Sequence, residues 1–560
     1  MPISSSERTT RYTKIVAVLL ILFGIALRLR TYLVGRSFWD DEIAIALNIR
    51  FRGFLALMHR LDFEQTMPIP LLLLNKLVVT LFGPSEFAFR LAALLIGCCM
   101  LFVCWVVFRR LFGNRVALIA VAITVICRPF IYYSSELKQY GLDALITVLT
   151  LWFVFRVLQE ERLWPRLLLW GILALLLSQP AIFLLCAAGL VMVLDQRFRT
   201  SRPWRRYTIG AGIAWGGTFV ALYFLSYRDV SHSAYMRAFW SYSFLYPTSS
   251  AFWGQLRDAI YTLLAAQSFD YIRTALLAGL FAVGLYGIRR KYGWEAMTLA
   301  SLPFLEVLTA AACKQYPVAM RLVLFILPLT FWVYATGVIT LADLLRPRLR
   351  PFAAAALSLA LLGPATVATI RYVVHFPQRE ANRQTVAYIK AVAPTAPVYI
   401  AFDEYLQWAY YGDDWKDPQE LRHKLAAAFH SRERVEFTSP ATNPEPTEIV
   451  GKVPPPSGGP LGDRQWARQE AQTILELPEP EVWVFVPVYN DDPVLGHTFR
   501  QRQLLETLQD ELKRGGARLM RNYVNGDSRV FLYNVAVSRA SLHPNPDLRS
   551  RRTGSRRPNL

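Results

Sequence analysis

Long apolar runs alternate with short basic loops through the first two thirds of the chain, and the pattern changes near residue 371. Runs close to 20 residues match the thickness of a bilayer's hydrocarbon core. They predict spans near 15–34, 87–107, 116–127, 142–158, 167–178, 181–194, 208–226, 273–288, 296–313, 322–343 and 352–371. Three of these (116–127, 167–178 and 181–194) are short, well below the usual floor of about 17 residues. A further run, 68–83, is short and Pro-led, and it carries Asn75 and Lys76. If it crossed, the basic loop with Arg109, Arg110 and Arg115 would face outward, so it is expected to lie in the interface.

With that choice the basic stretches 156–166, 197–206, 289–291 and 346–350 all fall on the inner side. The outer side receives 35–86, 128–140, 178–180, 227–271 and 314–321. Residues 1–14, with Arg8, Arg11 and Lys14, precede the first run without a small-x-small cleavage site. This predicts an uncleaved first helix with a cytoplasmic N-terminus. An odd number of spans then puts the C-terminal part outside.

Beyond residue 371 the pattern is that of a small α/β domain, 372–543. It predicts an amphipathic helix over 379–392, a strand over 398–402, a helix over 404–411 and a strongly apolar strand over 482–488. A helix follows over 499–513, then paired strands 517–523 and 529–537 around Asn525-Gly526-Asp527. Residues 439–462, rich in Pro, Gly and Ser, read as a loop or linker, and 544–560 as a disordered basic tail. The fold class is therefore mainly α: a polytopic membrane domain over 15–371 plus a small soluble α/β domain.

Composition narrows the function classes. Of 560 residues, 54% are hydrophobic and 18% charged, fewer charges than a soluble chain of this length carries. The net charge of +20 comes mostly from arginines in short loops, which is the positive-inside pattern, so nucleic acid is not an expected partner. The six cysteines lie in or at the end of apolar segments, which argues for packing and against disulfides or zinc. The seven histidines show no metal-ligand spacing.

Candidate chemistry gathers on the outer side. Phe38-Trp39-Asp40-Asp41-Glu42 places three adjacent carboxylates just past the first span. Such acids repel and cost desolvation energy if buried, so the cluster is either a solvated feature or a site. The other outer segments hold Gln65, Lys76 and Arg90; Glu136, Lys138 and Tyr140; His232, Tyr235 and Arg237; and Lys314, Tyr316 and Arg321. If they converge, they form an electropositive pocket with an acidic cluster, suited to a phosphate-bearing lipid. Taken singly, each is an ordinary interfacial anchor.

These residues resemble a family. The acidic outer loop, the Pro-led interfacial helix and Leu81-Phe82-Gly83-Pro84-Ser85-Glu86-Phe87-Ala88-Phe89-Arg90-Leu91 look like the family 39 type of integral-membrane glycosyltransferase. That family has the GT-C fold and includes protein mannosyltransferases and the aminoarabinose transferase acting on lipid A. Asp41 and Glu42 stand in its paired-acid positions, and Asp40 at a variable, dispensable one. Tyr133-Ser134-Ser135-Glu136-Leu137-Lys138-Gln139-Tyr140 resembles the second outer motif, with Lys138 where arginine is more usual. Tyr316-Pro317, Arg321 and Pro328 resemble a third. Met67-Pro68-Ile69-Pro70 departs from the family's Pro-Pro-Leu.

The resemblance implies transfer of a sugar from a polyprenyl-phosphate donor to a hydroxyl of a lipid, glycan or protein, with inversion. It implies Asp41 as general base with Glu42 in support, and Lys138, Arg321 and Arg90 on the donor phosphate. Glu136, Tyr140 and Tyr316 become substrate-binding candidates, and Glu136 is equally placed to pair with Lys138 or Arg321. No cofactor is implied beyond a possible divalent ion at Asp41 and Glu42. The membrane would be a bacterial one. A transporter or flippase is the main alternative, but such proteins place ionisable groups at mid-span and show repeated halves, neither of which is found here. A membrane-anchored sensor would not need so many spans.

Overall fold

The apolar runs become helices in the computed structural model, which describes residues 5–265, 271–376, 381–401, 404–412, 435–437, 448–451, 459–487, 499–525 and 528–536. It divides into two compact units, Met1–Gly35 with Asn48–Phe376, and Arg36–Leu47 with Pro377–Leu560.

The first unit is helical. Its elements are α1 (Ser5–Leu33), the later part of α2 (Asp40–Phe51), α3 (Ile69–Phe82), α4 (Glu86–Phe112), α5 (Asn114–Ile126), α6 (Arg128–Tyr132), α7 (Tyr140–Gln159), α8 (Trp164–Leu177) and α9 (Ala181–Leu194). They continue with α10 (Gln196–Thr200), α11 (Arg202–Leu222), α12 (Arg228–His232), α13 (Ala234–Phe239), α14 (Phe252–Ala265), α15 (Tyr271–Ala312), α16 (Leu327–Asp343) and α17 (Arg350–Val374).

Among the described residues, seven helices are long and apolar enough to cross a membrane, and α5 with the segment after its 61° bend makes up to eight. The long α15 is broken at Gly293, whose φ of 92° and ψ of 178° suit a residue without Cβ. Its 42 residues would span about 63 Å if straight, twice a bilayer core. The break falls beside Arg289, Arg290 and Lys291, all exposed, where the charge pattern predicts the boundary between two spans. Helices stand at each of the expected spans in the expected order, α15 covering two of them, and the 14-residue α8 and α9 fall outside the set long enough to cross. At about 21 Å each, α8 and α9 are shorter than the core they would cross.

α16 is the hub of the bundle: 89% of its apolar window is buried, against 11% for α17. Small residues let its neighbour come close, and a Cβ on Gly337 would sit 2.6 Å from the Leu280 carbonyl oxygen of α15. At the end of α4, Phe112 stacks on Trp332 of α16 at 4.1 Å. Arg28 of α1 is fully buried and does not snorkel outward. It donates to the carbonyls of Gly24 (3.0 Å) and Thr124 (3.3 Å), which satisfies part of its charge inside the bundle.

The second unit is a three-layer α/β sandwich. Strands β1 (Val398–Ile400), β2 (Val435–Phe437), β3 (Glu448–Val450), β4 (Glu481–Pro487), β5 (Arg518–Asn525) and β6 (Ser528–Asn534) form one sheet in the order β2-β3-β1-β4-β6-β5. β1 runs parallel to β3 and β4, and the other pairs are antiparallel. The strict alternation along β4 divides the faces. Val482, Val484 and Val486 pack in a core with Ala467, Ala471 and Ile474 of α20 (Gly459–Leu475) and Leu505, Leu508 and Leu512 of α21 (Phe499–Arg514). Trp483 and Phe485 turn the other way, toward Tyr388 of α18 (Asn382–Val392) and Trp408 of α19 (Tyr405–Tyr411).

The stretch 439–462 is not wholly a linker. Glu448–Val450 is an inner strand with Ile449 only 2% exposed, and α20 begins at Gly459. The helix start expected at 379, the ends of the strands at 402, 488 and 537, the Gly526-Asp527 turn and the tail 544–560 lie outside the described residues.

Candidate functional site

The acidic cluster is the first turn of α2: Trp39 supplies the carbonyl that accepts from the amides of Glu42 (2.9 Å) and Ile43 (3.0 Å). A helix N-terminus favours negative charge, which gives three consecutive acids a physical reason to exist there. Neighbouring residues on a helix diverge by about 100°, so the three carboxylates leave in different directions. Glu42 is fully buried, while Asp40 and Asp41 are partly exposed.

Within the second unit this segment is strapped down by α18 and α19. The Tyr411 hydroxyl accepts from the Phe38 amide at 2.7 Å, and Asn382 donates to the Phe38 carbonyl at 3.3 Å. Ser37 donates to Gln384 at 2.9 Å, and the Phe38 ring meets Tyr410 edge-on at 5.5 Å. The side-chain amide of Gln407 donates to Asp40. Asp40, ranked dispensable on the family pattern, is thus held by a buried side chain of α19.

In the first unit the segments expected on the outer side meet. Lys138, 7% exposed, donates to Gln65 Oε1 at 2.9 Å and so ties the second segment to the first. Its own amide closes a tight turn onto the Glu136 carbonyl at 2.8 Å. Ser233 donates to Glu64 at 2.6 Å, joining the third segment to the first. The Arg321 guanidinium lies over Trp240 at 4.8 Å and Phe239 at 5.9 Å, joining the fourth to the third. The Tyr133 hydroxyl is within electrostatic reach of both Glu136 and Arg321, and its ring meets Tyr140 edge-on at 4.9 Å. Glu136 is fully buried, Tyr140 nearly so, and Arg90 is buried in the second turn of α4.

Tyr316 donates to the Leu322 carbonyl at 2.7 Å. Burial, with the nearby Asp143 and Tyr140, pushes its phenol well above its ordinary range, so it remains a neutral donor at any working pH.

Several members of the polar set have other work. Lys76 donates to the carbonyls of Ile49 (2.7 Å) and Arg50 (3.4 Å), so it caps the C-terminal end of α2. Burial lowers its pKa. His232 bonds within α12, to the Arg228 carbonyl at 2.8 Å, and Arg237 donates to the Ser231 carbonyl at 3.2 Å. The side chain of Tyr235 lies outside the described residues.

Two features escape the sequence reading. Asp143, 5% exposed, sits in the first turn of α7 beside the buried Ser178, within electrostatic reach of Tyr227 and Tyr316. A lone acid does not interrupt hydropathy, so in sequence it reads as part of an apolar span. Phe63 and Glu64 are consecutive non-glycine residues at positive φ, 63° and 51°. This conformation costs energy and persists only where the surroundings impose it. Here Asp62 pairs with Arg52 at 2.7 Å, and its amide donates to Asn48 at 2.9 Å. The strained pair thereby presents Glu64 to Ser233 and Gln65 to Lys138.

No curated protein matches this chain. Solved structures that resemble it include ArnT from Cupriavidus metallidurans bound to undecaprenyl phosphate, at 12% identity and TM-score 0.49, over 96% of this chain and 99% of that one. The apo state of the same protein gives 11% and 0.47, over 94% and 98%. The Archaeoglobus fulgidus oligosaccharyltransferase gives 12% and 0.41, over 70% and 60%. The family model described as dolichyl-phosphate-mannose-protein mannosyltransferase matches residues 67–242, a stretch that takes in Arg90, Glu136, Lys138 and Tyr140 and leaves Asp41, Tyr316 and Arg321 outside it.

Proposed function

We propose that this is a membrane glycosyltransferase of the GT-C type, which moves a sugar from a polyprenyl-phosphate donor to an acceptor hydroxyl at the outer membrane face, with inversion. The observation that carries the reading is the meeting of four outer segments in the membrane unit, with Lys138, Arg321, Glu136, Tyr133 and Tyr140 as neighbours. The mannosyltransferase family match over 67–242 supports the same reading.

In this mechanism Asp41 takes the proton of the acceptor hydroxyl as its oxygen attacks the anomeric carbon. A carboxylate suffices, because that proton becomes acidic only as the bond forms. The partial exposure of Asp41 suits contact with an acceptor, and the full burial of Glu42 suits a supporting role. The leaving lipid phosphate needs charge stabilisation more than a strong acid, and Lys138, Arg321 and Arg90 supply it. Glu136, Tyr140 and Tyr316 line the substrate side. Asp41 and Glu42 diverge on α2, so neighbouring carboxylates do not form a ready cage for a divalent ion, and chelation is expected to leave transfer intact. The N-terminus is cytoplasmic, the second unit external, and the membrane bacterial.

The test is transfer by the full-length protein in vesicles, from a panel of polyprenyl-phosphate sugars, with product identified by mass spectrometry. Asp41→Asn should keep donor binding and lose transfer. Retained transfer by that variant sinks the base assignment, and lipid movement across the bilayer without product favours a flippase.

A further inference from the structure

A cavity of about 460 Å³ opens at the other end of the membrane helices, among the inner ends of α4 and α7 and the start of α8. Arg110 lies twenty residues beyond Arg90 on α4, about 30 Å along the helix, so the cavity is remote from the outer polar set. Its walls include Arg110, Arg156 and Arg166, with Trp152, Phe153 and Leu163 as the apolar part.

The arginines are arranged, not merely present. Arg110 and Arg156 each lie 5.6 Å from the Trp152 ring, so one aromatic shelf holds two guanidinia. Glu160 takes up Arg156 at 2.6 Å and Arg162 at 3.1 Å. Among the described residues no carboxylate pairs with Arg110 or Arg166. The cavity therefore keeps a surplus of positive charge. Leu169 and Leu173, three and seven residues beyond Arg166 on the same face of α8, are 66% and 43% exposed. An apolar strip thus runs from the charged mouth along the helix into the region of the acyl chains.

The geometry points to a binding site for the phosphodiester headgroup of an anionic glycerophospholipid, held at the inner end of the bundle. The cavity is within the usual size range for small-ligand sites. Basic pockets between membrane helices on this side are a recognised setting for acidic lipid headgroups. A free phosphate ion would use the guanidinia but not the apolar strip.

The test uses full-length protein in detergent, exchanged into mixed phosphatidylglycerol and phosphatidylcholine micelles, with retained lipid read by native mass spectrometry. Arg110→Gln with Arg166→Gln should lose phosphatidylglycerol by about tenfold, since each surface cation contributes appreciably. Arg162→Gln, at a guanidinium 84% exposed and outside the cavity wall, should retain it. Arg110→Lys with Arg166→Lys should keep most of the lipid, and thermal melting checks that each variant is folded. Should the double glutamine variant not fold, Arg166→Gln alone carries the same comparison. Equal retention by the glutamine variant and Arg162→Gln overturns the site. Displacement of phosphatidylglycerol by millimolar inorganic phosphate overturns the lipid assignment.

Discussion

Replacing Gln407 tests whether the second unit orients the acidic turn of α2. Gln407 is fully buried; its amide nitrogen donates to Asp40, and its carbonyl oxygen has no partner among the described residues. A hydrogen bond to a charged group contributes about 1.5–3 kcal/mol, and an unsatisfied buried carbonyl costs about 1–3 kcal/mol. Gln407→Leu removes both, so the stability of the second unit should change by less than about 1 kcal/mol. The first turn of α2 loses the donor that ties Asp40 to α19. If that bond fixes the first turn of α2, its loss should slow transfer at saturating donor about tenfold to a hundredfold, at 1.36 kcal/mol per decade.

Gln407→Glu separates positioning from packing, because it keeps the shape and sets a carboxylate against Asp40. Two like charges about 4 Å apart repel by about 4 kcal/mol at an effective dielectric constant of 20. Repulsion raises the folded pKa of the pair above the unfolded values near 4. The destabilisation is therefore present at neutral pH and fades as pH falls through the raised folded value. Adding Asp40→Asn should restore melting at pH 7, since the new asparagine amide can donate to the introduced carboxylate and so reverse the direction of the original bond. Transfer is read by mass spectrometry of product and stability by thermal melting from pH 4 to 8. Unchanged transfer by a folded Gln407→Leu protein, together with pH-independent melting of Gln407→Glu, would refute the reasoning.

Lys138→Met should raise the donor KM about tenfold or more, the share of one charge-assisted bond, while Lys138→Arg stays close to the unmodified protein; equal KM values for all three would remove Lys138 from the phosphate site. Gly337→Ala should lower thermal stability by about 1–3 kcal/mol, because a Cβ there meets the Leu280 backbone oxygen and α15 and α16 must separate; melting in detergent measures it. Asp195, whose carboxyl Arg197 holds below its usual range through a 2.6 Å bond, should lose about 1–2 kcal/mol as Asp195→Asn at pH 7. Its folded pKa is depressed, so that difference persists above the unfolded pKa near 4 and disappears as pH falls through the folded value; melting curves from pH 3 to 8 check the sign.

What the sequence disclosed and what it hid differ by physical cause. Helices long enough to cross a membrane announce themselves, because the hydrophobic effect acts on every residue of a run. The basic stretch 289–291 likewise marked the break that Gly293 makes in an otherwise continuous helix. Single residues have no such redundancy. Asp143 sits alone in an apolar run, and β3 is three residues long amid prolines, too short for a period to show. Phe63 and Glu64 adopt left-handed backbone with no glycine or asparagine to signal it, since tertiary bonds to Asp62 impose it.

The acidic turn shows where such inference must stop. Its charge was legible, and so was a resemblance that singled out Asp41 and Glu42. That resemblance ranks acids by how regularly each position is occupied, and a bond made to a domain that varies across a family leaves no trace in such a ranking. Asp40 is bonded to Gln407, 367 residues away, on a helix whose local sequence has no feature that names a partner. The side chain least favoured by the motif thus ties the motif to the rest of the second unit. Removing Asp40 should therefore impair transfer through the geometry of its neighbours, with Asp40→Asn, which keeps an oxygen to accept the Gln407 bond, less affected than Asp40→Ala. Equal and full activity of both variants would restore the motif's own ranking.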